Sequence, residues 1–184
     1  MFWWFRCYWK VKIQEGTSLV YPLSTIGAHV SDCPNHTVGR NTPFETRGYV
    51  ALAGTFGYEL DVTKISEEDR EVIKKQIDIY HRYNDLIRRG DYYRLENYSE
   101  NNEFDAWAVI SKEKDEALIT CVQVLRRPNY HSRRLRLKGL DKNKFYKNME
   151  TKQILSGAAL MSAGINLKDL ASDFSGKIIY IKEV

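Results

Sequence analysis

A chain of 184 residues has room for one sizeable core or two small ones, and 43% hydrophobic with 28% charged residues is the make-up of a globular protein. The net charge of +4 is modest and spread along the chain, which disfavours a nucleic-acid-binding patch. No apolar run reaches the roughly 20 residues of a membrane span, and Arg6, Lys10 and Lys12 interrupt the aromatic N-terminus before a signal-peptide core can form.

Cys7, Cys33 and Cys121 are odd in number and widely scattered. Neither a disulfide framework nor a metal-ligand spacing emerges from them, so a reducing, cytoplasmic setting is expected, with no metal and no cofactor.

In chain order, the opening Phe2-Trp3-Trp4-Phe5 is bulky and aperiodic, with no cap and no evident partner. Residues 12–20 suit a short helix that Pro22 ends, and 25–30 are small and β-prone. A short apolar run after a helix, leading into a polar loop, is what a βα repeat of a parallel sheet produces. Residues 31–47 read as loop and 45–53 as a second helix closed by Gly54. Ser66 then opens the clearest helix, with Glu67, Glu68 and Asp69 in its first turn. Val72, Ile73, Ile77, Tyr80, Tyr83, Leu86 and Ile87 recur at helical spacing until Gly90 stops it.

After Gly90 the period changes. Residues 91–95, 106–111, 117–124, 132–137, 144–149 and 177–182 read as short strands of an antiparallel sandwich or barrel-like unit. Residues 111–116 are a charged hairpin loop. The densest basic run ends in Arg134-Leu135-Arg136-Leu137-Lys138, where alternation turns leucines inward and cations to water. The class is therefore α/β plus all-β, dividing near residue 90. The α/β part holds too few strands for a parallel sheet, and a full (β/α)₈ barrel takes about 250 residues. It looks like the tail of something larger.

The reactive side chains concentrate in Gly27-Ala28-His29-Val30-Ser31-Asp32-Cys33-Pro34-Asn35-His36, just past an expected strand, where barrel enzymes place catalytic groups. Four readings compete. His29, His36 and Cys33 as metal ligands match no standard spacing. Cys33 as a nucleophile wants a paired histidine, and only His36 is near in sequence. Asp32 as a general acid/base needs a second carboxylate. Asp32 as a turn cap before Pro34 needs nothing more, and spacing alone favours that reading.

The whole string from Tyr21-Pro22-Leu23-Ser24-Thr25-Ile26 through Asp32-Cys33-Pro34-Asn35-His36 closely resembles the last catalytic strand of the α-galactosidases of glycoside hydrolase family 36. Gly39-Arg40, Thr42-Pro43, Thr46-Arg47-Gly48 and Gly54-Thr55-Phe56-Gly57-Tyr58-Glu59-Leu60-Asp61 are similar to the family's next segments. Gly90-Asp91-Tyr92-Tyr93-Arg94-Leu95 and Arg133-Arg134-Leu135-Arg136-Leu137-Lys138-Gly139-Leu140 resemble the family's C-terminal β domain. The resemblance implies that 12–90 are the last elements of a (β/α)₈ barrel and 91–184 a small antiparallel β-sandwich. It implies retaining hydrolysis of terminal α-galactosides such as raffinose-type sugars and melibiose, with Asp32 as proton donor and substrate contact. The family's nucleophilic aspartate belongs to a Lys-Trp-Asp-type motif on an earlier strand, and these 184 residues contain no such motif. An inactive fragment is the resulting expectation. Family members are commonly homo-oligomeric; neither nucleic acid nor membrane is an expected partner. The competing expectation is a non-catalytic, carbohydrate-associated β-sandwich module.

Residues 1–11 depart from the family pattern. Written as TTC CGA TGC TAT TGG AAA, Phe5-Arg6-Cys7-Tyr8-Trp9-Lys10 reads Ser-Asp-Ala-Ile-Gly in the next frame, which resembles the expected segment. A frameshift is the expected origin of 1–10, and a divergent N-terminus the alternative.

Overall fold

A computed structural model describes residues 6–34, 39, 41–128, 133–168, 170 and 172–184, with side chains from Lys10 onward. Packing divides the chain into two compact units, Met1–Arg88 and Arg89–Val184.

The first unit opens with helix α1, Arg6–Thr17. It begins well before the expected residue 12, inside the aperiodic segment, whose first five residues lie outside those described. A short 3₁₀ turn, Leu23–Thr25, leads into strand β1, Gly27–Ser31. Helix α2, Phe44–Ala51, returns to strand β2, Thr55–Glu59, which sequence patterning did not single out as a strand. The two strands pair in parallel, Gly27 beside Thr55 through Ser31 beside Glu59. Helix α3, Glu67–Arg89, then runs 23 residues, capped by Ser66, whose Oγ accepts from Asp69 N at 3.1 Å.

Alternation decides which face of β1 and β2 meets the helices. Ala28 and Val30 are buried with Ala51 of α2, against Phe44, Phe56, Tyr58 and Leu60. His29 and Ser31 take the opposite face. Two glycines allow the close approaches. A Cβ on Gly54 would stand 2.4 Å from the Ile26 carbonyl, which accepts from Thr55 N at 2.7 Å. A Cβ on Gly48 would collide with the Gln76 amide, 2.3 Å away. That buried amide joins three elements: it donates to Phe44 O at 3.0 Å and accepts from the Tyr58 hydroxyl at 2.9 Å.

In the second unit six strands form one antiparallel sheet. Its elements are β3 (Asp91–Glu96), β4 (Phe104–Ile110), β5 (Glu116–Gln123), β7 (Phe145–Asn148), β8 (Ile154–Ser156) and β10 (Ser175–Glu183). Their spatial order is β3-β4-β5-β10-β7-β8, and β6 (Arg133–Leu135) pairs with β9 (Ile165–Leu167) apart from them. One face of the sheet supplies Phe104, Ala106, Ala108, Ile110, Ala117, Ile119, Cys121, Tyr146, Ile179 and Ile181 to the core. Leu135, Leu137, Leu160 and Leu167 close over them. Each fully buried large side chain contributes about 1.5–3 kcal/mol, which makes this face the main stabilising feature of the unit.

The expectation of an all-β second unit needs one correction. Helices α4 (Tyr98–Asn101) and α5 (Gly157–Ser162) interrupt it. Asn97 and Ser156 cap them, each accepting a backbone N–H, and Gly164 follows α5 with φ +74°, a left-handed position that favours glycine. The alternation expected for the basic run holds, with Leu135 and Leu137 buried and Arg134, Arg136 and Lys138 exposed. Of the other cations in that run, Arg127 and Arg133 both bridge to Glu103, and the Arg126 guanidinium donates to Leu170 O.

Candidate functional site

Asp32 stands one residue beyond β1, at the C-terminal end of a parallel strand, with its side chain exposed. Its neighbours on both sides are anchored. Lys10 of α1 donates through Nζ to the His29 carbonyl and, at 2.9 Å, to the Ser31 hydroxyl. Arg47 of α2 donates through Nη1 to the Ser31 carbonyl while its guanidinium lies 4.5 Å from the centre of the Phe44 ring. Past Asp32, the Cys33 sulfur accepts from Thr42 N at 3.3 Å and lies 3.4 Å from Asn41 Oδ1. The chain on either side of Asp32 is thus tied to α1, to α2 and to the returning loop.

The other strand end is acidic. Glu59, the last residue of β2, approaches His29 with Oε2 2.5 Å from Nε2. Asp61 accepts from the Thr63 hydroxyl at 2.6 Å and pairs with Lys64 at 3.0 Å. The Thr63 hydroxyl bond, with Lys64 beside it, lowers the Asp61 carboxyl to about 2. Lys64 is held above its ordinary value chiefly by Asp61, with a smaller push from the charge of Asp32. The ends of β1 and β2 therefore gather His29, Asp32, Glu59, Asp61 and Lys64 on neighbouring positions.

The four sequence readings fare differently. Among the described residues no group of three metal-ligating side chains comes together. His29 is engaged by Glu59 and Cys33 by the 41–42 loop, while His36 lies outside the described residues. A cysteine nucleophile would need a base at its sulfur; among the described residues Asn41 and Thr42 stand near it, and the candidate base His36 lies outside them. A turn-capping Asp32 cannot accept from the residue two on, because Pro34 has no N–H, and Asn35, three on, lies outside the described residues. Among the described residues no hydrogen bond or ion pair ties down the Asp32 carboxylate.

Reading the sequence missed Lys10, Arg47 and Glu59. Arg47 and Glu59 stood in strings that resembled the family, but a role at the strand end requires the contact itself. Lys10 was hidden in the aperiodic segment, 21 residues before the hydroxyl it meets.

A different 230 Å³ cavity lies at the N-terminal ends of the strands, lined by Leu23, Ser24, Gly54, Thr55, Tyr80, Ile87 and Arg88. Among the described residues no helix is long and apolar enough to cross a membrane.

Comparison with known proteins agrees with the motif. The family described as Melibiase matches residues 7–90, and the glycosyl hydrolase family 36 C-terminal domain matches residues 104–181. Alpha-galactosidase AgaA of Geobacillus stearothermophilus is 45% identical over 175 residues, which is 95% of this chain and 24% of that protein. The bifunctional alpha-galactosidase/sucrose kinase AgaSK of Mediterraneibacter gnavus is 42% identical over 165 residues, 90% of this chain and 18% of its own length. The solved galactosidase domain of AgaSK superposes with a TM-score of 0.93 at 40% identity, over 97% of this chain and 25% of that one. A variant of the Geobacillus enzyme solved in complex with raffinose superposes at 0.92 and 43%, over 97% of this chain and 24% of that one. The chain thus spans at most about a quarter of the length of these relatives.

Proposed function

This chain belongs to glycoside hydrolase family 36, and from that premise we propose that it is the part of a retaining α-galactosidase that carries the acid/base residue, Asp32. The observation that carries the proposal is an exposed carboxylate at the end of a parallel strand, between anchored neighbours, inside the segment the family matches. Barrel enzymes place catalytic groups at that end of their strands.

The chemistry assigns Asp32 two successive tasks. In retaining hydrolysis two carboxyl groups stand about 5–5.5 Å apart. One attacks the anomeric carbon while the other gives its proton to the leaving oxygen. The leaving group departs with that proton; water then cleaves the galactosyl–carboxylate bond, and the second group, now a carboxylate, takes a proton from that water. Asp32 is proposed as the donor and substrate contact, with terminal α-galactosides such as raffinose-type sugars and melibiose as substrates. The attacking carboxylate belongs to a motif that these 184 residues do not contain, so the chain alone is proposed to turn over no substrate.

The same reading assigns 12–90 to the last elements of a (β/α)₈ barrel, 91–184 to a β-sandwich and 1–11 to an aberrant segment, although the family match already covers residues 7–11 of it. It assigns the protein to the cytoplasm and the whole enzyme to homo-oligomers. A second reading, a carbohydrate-associated module without catalysis, is favoured by one observation: residues Arg89–Val184 form a compact unit with their own core.

A chimera tests the proposal. Residues 12–184 replace the matching segment of the Geobacillus enzyme, and hydrolysis of a chromogenic α-galactoside is measured. The chimera turns over, and Asp32→Asn lowers kcat by about 10²–10⁴-fold, the usual contribution of a positioned acid/base. An unchanged rate after Asp32→Asn removes Asp32 from the mechanism. Turnover by the 184-residue chain alone, at a rate comparable to an intact relative, removes the need for the outside nucleophile.

A further inference from the structure

The 230 Å³ cavity at the N-terminal ends of β1 and β2 lies at the far end of these strands from Asp32. The five residues of β1 stand between the two, each rising about 3.3 Å. Three elements build the cavity. The 3₁₀ turn supplies Leu23 and Ser24, the entry to β2 supplies Gly54 and Thr55, and α3 supplies Tyr80, Ile87 and Arg88. Helix positions seven and eight apart fall on one side, so Tyr80 stands two turns, about 11 Å, from Ile87 and Arg88 along the cavity.

The lining divides by chemistry. Leu23 and Ile87 are buried and aliphatic. Ser24, Thr55 and Tyr80 bring hydroxyls, each able to donate and to accept. The Thr55 hydroxyl donates to Ser24 O at 3.3 Å and keeps its capacity to accept. The Tyr80 ring is stacked on Phe56, with centroids 5.2 Å apart and planes at 25°, which fixes where its hydroxyl stands. Among the described residues no hydrogen bond or ion pair engages the Ser24 hydroxyl, the Tyr80 hydroxyl or the Arg88 guanidinium. Arg88 alone among the described lining residues is charged. Drug-sized ligands take about 300–1,000 Å³, so 230 Å³ suits a smaller molecule.

We propose that this cavity binds an anionic monosaccharide, phosphorylated or acidic. Arg88 takes the phosphate or carboxylate, whose oxygens match the guanidinium fork. The hydroxyls of Ser24, Thr55 and Tyr80 exchange hydrogen bonds with those of the sugar, and a C–H face of its ring lies on Leu23 and Ile87. A neutral sugar would leave Arg88 without a partner, and an inorganic anion would leave the hydroxyls and the aliphatic side chains without one. The site is distinct from the strand ends that carry Asp32 and does not depend on the role proposed there.

The 184-residue chain is titrated with glucose 6-phosphate, glucuronate, glucose and inorganic phosphate, each followed by amide NMR shifts. At least one anionic sugar binds saturably with a Kd of about 1 mM or below, and the tighter of the two identifies the anion. The shifts fall on Ser24, Thr55 and Arg88 and not on Ser31 and Asp32. Glucose and inorganic phosphate each bind about tenfold more weakly or worse. Arg88→Gln weakens the anionic sugar about tenfold and leaves glucose unchanged, while Tyr80→Phe weakens it about threefold. Arg88 is exposed, and phenylalanine at position 80 keeps the ring on Phe56, so both variants fold as the unchanged chain does, which circular dichroism checks. No saturable binding of either anionic sugar overturns the proposal. So do shifts confined to the strand ends near Asp32, inorganic phosphate that binds as tightly as glucose 6-phosphate, or an undiminished affinity after Arg88→Gln.

Discussion

Gly48→Ala has a consequence that helix propensity alone predicts with the wrong sign. Alanine for glycine inside a helix ordinarily stabilises by about 1 kcal/mol. Here the new Cβ would stand 2.3 Å from Gln76 Nε2 and 2.4 Å from its Cδ, inside any permitted contact. The Gln76 side chain is flexible, but it is only 3% exposed and holds two bonds, to Phe44 O and from the Tyr58 hydroxyl. Withdrawal forfeits both, at about 1 kcal/mol each, and crowding adds roughly 1–3 kcal/mol. The net expectation is a loss of about 2–4 kcal/mol in the first unit. In a Gln76→Ala background the obstacle is gone, and the same Gly48→Ala should stabilise by up to about 1 kcal/mol. Urea-dependent hydrogen exchange at the amides of β1 and α2 reads this unit separately from the second. A neutral or stabilising Gly48→Ala in the unaltered chain refutes the reasoning, as does an equal cost in both backgrounds.

Other contacts of the molecule set three further outcomes. Burial raises the Tyr58 phenol from 10.0 to about 12, so the folded state favours its neutral form. Its contribution to stability is whole below pH 10 and declines as pH rises from there towards 12, which a falling urea midpoint for β1 and β2 would show. The Asp61 carboxyl, lowered from 3.8 to about 2 mainly by the Thr63 hydroxyl, contributes fully above pH 3.8 and loses its contribution as pH falls through 2. Carboxyl NMR titration should find Asp61 ionised to unusually low pH, and Thr63→Val should return it towards 3.8. In the second unit, Tyr146→Phe removes a hydroxyl that donates to Lys114 O at 2.8 Å and accepts from Asp141 N at 3.1 Å. Loss of two bonds at a nearly inaccessible site should cost about 1–3 kcal/mol by urea unfolding followed at the amides of β5 and β10.

What the sequence showed depended on period. The 3.6-residue recurrence through α3 and the short β-rich runs, bounded by turns, that became β4, β5 and β10 are local signals, and each became the expected element within a few residues. β2 escaped because Thr55-Phe56-Gly57-Tyr58-Glu59 is short and holds a glycine, with no long apolar run to mark a buried parallel strand. α5 escaped because six residues are too few for a helical period, although Ser156 and Gly164 stand where a cap and a left-handed stop belong. Asp32 was legible only through the long resemblance around it, since its local spacing suits a turn equally well.

The contacts around Asp32 lay beyond period altogether. Side chains from two helices meet one strand end across 16 to 21 residues of chain, and no residue pattern records such a meeting. The opening segment makes this plain. Its aperiodic aromatics gave no sign of a folded role, yet α1 starts at Arg6 and the family match starts at residue 7. The helix brings Lys10 to the His29 carbonyl and the Ser31 hydroxyl, while Arg47 takes the Ser31 carbonyl. The acid/base role proposed for Asp32 serves two oxygens in turn, the leaving group's and then the attacking water's, and would gain from a backbone that does not shift between the steps, because a misplacement of about 1 Å can cost 10²-fold in rate. Those contacts on His29 and Ser31, with the Cys33 sulfur held just after Asp32, supply that fixity from this chain's own residues. In the proposed role the carboxylate stays exposed for a substrate, because the peptide units around it, and not the side chain itself, hold the position.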